Sequence, residues 1–420
     1  MSTLAKELPS LEKRDANISF ALFVASVLAG LLQFASHIAF GTGFEMVAIA
    51  TNLAQHGAFA NPYQVANTGP TAANPPLYPF FLAILMKTLR LPALVFAIAS
   101  VGNLAMNAIT ASLLPRISRL FYGDITPGVI ASVFWLTSVR LMPAWDVSYT
   151  VVGLLCFCLC FGSWQRRTER RISFTLLAAI IAGLLFLANP STLLIVLSWL
   201  LYLLIRRKML LREALTVLAI LFLFGFGWAF RNHRELGAFV VRTNFGPTFY
   251  ASNNDCAAPS LIEDELNNCH QSHHPNDSLS EAQLLETLGE VKYDQKRTAD
   301  TKQWIKSHPA QFRNLTLQRF RDFWLPPPQR TPFRSYIIWV ATVLSIPGLI
   351  LMIRERLPVS MFVLTVLLIY PLMYYIVIAD VRYRYPVLWL SLLPAGYCIA
   401  RLLPGRLRAS DVTPSGDGRI

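Results

Sequence analysis

Two carboxylates and a group of arginines carry the residue types that a transfer reaction on a phosphate-linked substrate would need. Glu45 is the single acidic residue between Gly43 and Phe80, and Asp146 stands in the stretch MPAWDVSY. A carboxylate within hydrogen-bond reach of a hydroxyl can take its proton as the oxygen attacks. Arg231 and Arg242 lie outside the apolar runs and Arg140 near the end of one, and Arg382 and Arg384 flank Tyr383 in DVRYRYP, which begins at Asp380. Guanidinium forks match the oxygens of a phosphate. Asn74, Pro76 and Tyr78, from NPPLYP, are candidates for the wall of a substrate pocket. Each group also has a plainer reading. Glu45 suits a helix cap and Asp146 a solvated loop, the arginines and tyrosines suit snorkelling in an aromatic belt, and the double proline suits a turn.

Other chemistries find little support. There is no Walker-type loop, no G-x-G-x-x-G after a strand, no H-E-x-x-H and no G-x-S-x-G, so nucleotide, zinc-protease and serine-hydrolase mechanisms are not indicated. CHQSHH brings Cys269, His270, His273 and His274 together, which could bind a metal. A polar loop is the plainer reading, and no metal ligands are assigned. No cofactor is demanded, although a divalent cation is compatible with the candidate residues.

The elements that must position these groups are membrane helices. The chain has 420 residues, 54% of them hydrophobic and 15% charged, with a net charge of +13. That balance is outside the range of soluble domains. The basic residues cluster between apolar runs, where they orient helices, and nucleic acid is not an expected partner. Apolar stretches predict about ten spans, near 18-40, 93-115, 127-143, 147-164, 173-189, 191-205, 212-230, 334-353, 358-378 and 384-402. The first is read as a retained span and not a signal peptide. Alternate connections are basic: Arg116 and Arg119; Arg166, Arg167, Arg170 and Arg171; Arg206, Arg207, Lys208 and Arg212; Arg354 and Arg356; Arg401, Arg406 and Arg408. The positive-inside rule assigns these to the cytoplasm, together with both termini, 1-17 and 404-420.

The expected organisation is therefore an all-α polytopic membrane protein. Its membrane domain is 18-230, with an outer loop at 41-92, and is completed by 334-403. An outer lobe occupies 231-333. In the outer loop, Met46, Val47, Ile49, Ala50, Leu53 and Ala54 form one helical face, which predicts a helix lying on the membrane surface. Residues 77 to 92 are too short to span and predict a second interfacial or re-entrant helix. In the lobe, 280–324 reads as helix, closed by Pro326, Pro327 and Pro328, and 253–277 reads as irregular loop. Cys156, Cys158, Cys160 and Cys398 fall in spans as packing residues. Cys256 and Cys269 share the lobe and can pair if it faces an oxidising compartment.

The middles of the spans carry essentially no charge. His37, Asn103 and Asn107 are the polar exceptions, and packing hydrogen bonds account for them. An ion-coupled path is not indicated.

Four motifs in order, FEMVAIATNLAQHGAF...GPTAANPPLYPF, GWAFRNHRELGAFVVRTNFG, WIKSHPAQFRNLTLQRFRDFW and RYRYPV, resemble the bacterial membrane glycosyltransferases of the GT-C superfamily. The kinship is with protein O-mannosyltransferases of glycosyltransferase family 39 and the lipid A aminoarabinose transferase. The resemblance implies an inverting transfer of a sugar from a polyprenyl-phosphate donor to a glycan, lipid or protein acceptor, at the periplasmic face of a bacterial inner membrane. It places Glu45 as the acidic residue after the first span. Many relatives carry Asp or an Asp-Glu pair where this chain has Phe44-Glu45. It places Asp146 at a second acidic position and RYRYP against the donor phosphate, with Arg382, Arg384 and Tyr383 in contact. Asn74, Pro76, Tyr78, Arg231 and Arg242 then border the substrate pocket. Two other readings stay open: a lipid or polysaccharide transporter, or a non-catalytic envelope-assembly protein.

Overall fold

Long apolar runs punctuated by glycine, proline and arginine clusters give a molecule of helices. The computed structural model describes residues 2–36, 45–63, 65–139, 145–164, 171–328 and 332–403. His37, Phe44, Arg140, Arg166, Arg167, Arg170, Arg406 and Arg408 lie outside these residues, as do the C-terminal tail and the outer ends of the spans expected at 18-40 and 127-143.

The first half comprises α1 (Ser2–Ser36), α2 (Glu45–His56), α3 (Leu77–Leu89), α4 (Pro92–Tyr122), α5 (Thr126–Ser138), α6 (Val147–Trp164), α7 (Arg171–Ala188), α8 (Leu193–Ile205) and α9 (Leu211–Leu236). The lobe holds α10 (Phe245–Ser252), α11 (Leu261–Leu266), α12 (Cys269–His273), α13 (Leu279–Leu288), α14 (Glu290–Ser307) and α15 (Pro309–Trp324). The chain then returns through α16 (Pro332–Arg354), α17 (Ser360–Ile369), α18 (Leu372–Ile376), a 3₁₀ turn (Val381–Arg384) and α19 (Tyr385–Leu402).

Among the described residues, five helices are long and apolar enough to cross a membrane: α1, α4, α7, α9 and α16. The other expected spans are also helical but shorter or interrupted. Pro371 ends α17 and starts α18, because proline has no N–H to continue the ladder. Pro190 likewise opens a 3₁₀ turn before α8. α1 already begins at Ser2, so much of the segment expected as a separate tail continues the first helix.

α19 is buried along nearly its whole length, from Tyr385 to Cys398. A helix apolar on all sides belongs in the centre of a bundle, and α16, α5, α17 and α6 pack around it. Two glycines set the closest approaches. A Cβ on Gly348 of α16 would overlap the Pro394 carbonyl of α19, and one on Gly396 of α19 would overlap the Pro127 carbonyl of α5.

Ion pairs sort the two ends of the bundle. Asp15 with Arg119 (2.5 Å), Glu213 with Arg171 (2.6 Å) and Glu355 with Arg401 stand where the basic connections fall. The lobe caps the opposite end. The helix expected over 280–324 is three helices, because Gly289 takes a positive φ of 77° after α13 and Pro309 begins a new helix at α15. The stretch expected as irregular contains α11 and α12. Cys256 and Cys269 are joined in a disulfide, with Cα atoms 5.7 Å apart.

The lobe is stitched to the membrane helices by backbone bonds. Leu261 N donates to Ala379 O at 3.1 Å, and Ala379 N to Pro259 O at 3.0 Å. Arg319, fully buried, donates to Ser252 O, Asn253 Oδ1 and Ile376 O. These contacts fix the segment that leads into Asp380 and Arg382.

Candidate active site

Four segments far apart in sequence bring charge to one place at the lobe end. Glu45 occupies the first turn of α2 and is half-buried, while Met46, Val47, Ile49 and Ala50 turn inward. A carboxylate there gains from the helix dipole. Asp146 stands one residue before α6, also half-buried. Arg382 lies in the 3₁₀ turn before α19, and Arg242 in the extended stretch after α9.

These groups act on one another. Arg382 is within electrostatic reach of Glu45 and of Asp146. Arg242 reaches Asp146, Tyr63 and Tyr374, and Tyr63 also senses Glu45. Burial pushes the Asp146 carboxyl up to about 6, although Arg242 and Arg382 draw it down. The guanidinium of Arg382 lies 4.8 Å from the Trp145 ring and 5.3 Å from the Tyr383 ring, with Asp380 3.5 Å from its Nε. Burial opposes its charge, but Asp380, Tyr383 and Glu45 together hold its pKa above the ordinary value. Tyr383 stacks on Tyr374 at 5.1 Å, and Tyr374 follows Tyr370 at 5.4 Å, giving an aromatic wall.

The remaining sequence candidates fall into two groups. Arg242 Nε donates to Ala73 O at 2.8 Å, which brings Asn74 and Pro76, both buried, up to the cluster. Tyr78 is buried on α3, accepts from Asn103 Nδ2 at 3.5 Å and senses Asp146. Arg231 and Arg384 are turned to other work. Arg231 donates to Thr71 O (2.7 Å) and Phe59 O (2.8 Å), so it clamps the loop between α2 and α3. Arg384 is 1% exposed, and its Nη atoms donate to Trp324 O (2.7 Å) and Thr342 Oγ1 (2.7 Å) over the Trp324 ring. It ties α15 and α16 to α19.

Three contributors had no signal that the sequence alone could rank. Tyr63 comes within electrostatic reach of Glu45 and Arg242, and Trp145 packs on the Arg382 guanidinium. Glu290, buried at the start of α14, accepts from Ala72 N at 2.7 Å and from Thr243 Oγ1, beside Arg242. It holds the two outer segments together from within the lobe.

Two clefts lie near these residues, one lined by Arg382 and the other reaching Tyr63. One, of about 350 Å³, runs between α11, the start of α16 and Asp380–Arg382. The other, of about 770 Å³, lies between α2, α3 and α4 and reaches Tyr63. Away from both, His270, His274 and Asp277 have ligand-type atoms within 4.8 Å of one another. The nearby sulfurs of Cys256 and Cys269 are taken up by their disulfide, and His274 Nδ1 accepts from Asn276 N at 3.2 Å.

An all-α fold with several membrane-length helices and a helical lobe is what these elements amount to among the described residues. By sequence, no family profile and no curated protein matches the chain. By structure it is similar to the archaeal oligosaccharyltransferase AglB from Archaeoglobus fulgidus in complex with an inhibitory peptide and a dolichol-phosphate, with a TM-score of 0.53 and 11% identity over 91% of this chain and 50% of that one. It is also similar to the Archaeoglobus fulgidus oligosaccharyltransferase with Zn and sulfate, at a TM-score of 0.54 and 12% identity over 92% and 49% of the two chains. The apo form gives 0.52 and 12% over 92% and 50%. The chain thus spans about half the length of these neighbours, and at such identity the likeness is one of fold.

Proposed function

We propose that the protein is a membrane glycosyltransferase that moves a sugar from a polyprenyl-phosphate donor to an acceptor hydroxyl at the lobe side of the membrane. The observation that carries this reading is that Glu45, Asp146, Arg242 and Arg382, from four separate segments, come within electrostatic reach of one another, with Arg382 lining a cleft. The dolichol-phosphate held by the structurally similar AglB supports a lipid-phosphate donor.

In this reading the donor phosphate lies against Arg382, which lines the smaller cleft, with Tyr383 beside it. The acceptor oxygen attacks the anomeric carbon. Its proton passes to Glu45, and the bond from that carbon to the phosphate oxygen breaks, so the electron pair leaves on the lipid phosphate. A transition state of this kind has oxocarbenium character. Arg382 offsets the charge that grows on the departing phosphate, and a preorganised cation is most effective in a site shielded from water. Attack from the side opposite the phosphate inverts the anomeric centre. Asp146 supports Arg242 and Arg382 in place. Asn74, Pro76 and Tyr78 border the sugar, and the surrounding membrane is a bacterial inner membrane with both termini cytoplasmic.

The test is to supply the full chain, in native-lipid nanodiscs, with a panel of polyprenyl-phosphate sugars and membrane extract. Release of free polyprenyl phosphate, and not pyrophosphate, is the expected result. No release from any donor in the panel would contradict the reading.

A further inference from the structure

CHQSHHPND, in the lobe, is a stretch to which the transfer reading gives no role. A single helical turn sets its geometry. His274 N donates to His270 O at 2.9 Å, so the two imidazoles stand four residues apart at the end of α12. That spacing puts both side chains on one face, as in helices that present two histidines to one metal ion. The rings lie face to face, with 4.7 Å between centroids and 18° between planes. The chain then turns back, with Asp277 N and Ser278 N both donating to His274 O at 3.1 and 2.9 Å. This return brings Asp277 Oδ2 to 3.2 Å from His270 Nδ1.

An ion pair at the end of a short helix accounts for His270 and Asp277. It does not account for His274, which is 5% exposed and lies flat against the His270 ring, where a proton on either imidazole repels a proton on the other. A metal ion held in common removes that conflict, because it binds imidazole in the neutral form and carboxylate in the ionised form. Tetrahedral zinc, with bonds of ~2.0–2.1 Å, sets its ligand atoms roughly 3.3 Å apart. The His270–Asp277 contact already has that spacing. His274 Nδ1 presents its lone pair to Asn276 N at 3.2 Å, so it coordinates without a change of tautomer once the metal replaces that contact. The turn is anchored on both sides. Cys269, beside His270, is tied to Cys256, and the Tyr63 ring meets His274 edge-on at 5.9 Å. The same disulfide rules out the neighbouring group of Cys256, Cys269 and His273, since the thiolate is the metal-binding form of cysteine.

We infer that His270, His274 and Asp277 form a binding site for a divalent transition metal, with water completing a tetrahedral shell. Two imidazoles and one carboxylate favour zinc over magnesium, which prefers an all-oxygen shell. The ion takes the place of the proton between His270 Nδ1 and Asp277 Oδ2, and that proton goes to solvent. Its effect is to lock the turn between α12 and α13 where the lobe packs on the loop that joins α2 and α3. The site stands independently of the transfer reading.

The test uses the full chain in nanodiscs, purified without a histidine tag, stripped with a chelator and kept oxidised. Calorimetric titration with zinc chloride should show a single equivalent bound, and the melting temperature should rise with free zinc, as for any ligand of the folded state. Magnesium chloride at the same concentrations should give neither. Loss of an outer-shell partner alone commonly weakens a metal site about 10–100-fold. The His270→Gln, Asp277→Asn double variant, which lacks two ligands, should therefore bind zinc at least about a hundredfold more weakly and show no rise in melting temperature. Both side chains reach solvent, and an intact disulfide in the variant checks that the lobe has folded. If that disulfide is lost, Asp277→Asn alone is read instead, with a weakening of at least about tenfold expected. No saturable zinc binding by wild type, equal zinc affinity in the variant, or binding that appears only after the disulfide is reduced would overturn the inference.

Discussion

Asp146 is the residue whose environment makes the sharpest demand. Folded, its carboxyl keeps its proton up to about pH 6; unfolded, an aspartate has lost it by about pH 4. The folded state therefore binds more protons in that window, and stability falls as pH rises from about 4 to about 6. Asp146→Asn removes the ionisable group, so the variant should lack this fall and be more stable than wild type at pH 7. Thermal unfolding of both proteins across pH 4 to 7.5 checks it, and parallel curves would show that Asp146 is not held in a desolvated site. Glu45, Asp146, Arg242 and Arg382 were all legible as charges outside the apolar runs. Their roles relative to one another were not. Arg382 and Arg384 are two residues apart in RYRYP, yet one faces the carboxylates and the other is consumed by the Trp324 carbonyl and Thr342. In a 3₁₀ turn that spacing sends side chains in different directions, and only the neighbouring helices decide which direction is the site.

At the scale of elements, the long apolar runs fall on helices among the described residues, but how each would end was not readable. Pro371 and the positive φ of Gly289 cut segments that the sequence reading joins. The close crossings at Gly348 and Gly396 were equally invisible, because a glycine in an apolar run reads as helix-neutral until its partner is known. Gly396→Leu should force α19 away from α5. Overpacking of this kind costs about 1–3 kcal/mol or more, and a detergent thermal shift should register a clear drop in melting temperature. The same change at Gly227, where a Cβ meets nothing within 4 Å, is the control and should leave stability nearly unchanged.

The whole molecule is a bundle with salt-bridged basic connections at one end and a lobe at the other, and the alternation of arginine clusters made that polarity readable from sequence. The lobe's internal order was less readable. Its helices are short and its buried polar contacts, such as Arg319 to Ser252 and Asn253, are long-range. The disulfide gives a direct check on sidedness, since it forms only in an oxidising compartment. Of the six cysteines, only Cys156, Cys158, Cys160 and Cys398 should react with a thiol reagent after denaturation without reductant; labelling of all six would place the lobe in a reducing compartment. The central claim, that Glu45 takes the acceptor proton in a transfer from a lipid phosphate, is tested most directly by Glu45→Gln. Turnover of the donor by the variant should fall at least about a hundredfold, as for loss of a general base, with donor binding unchanged. Equal turnover by wild type and variant would contradict it and move the base elsewhere in the cluster.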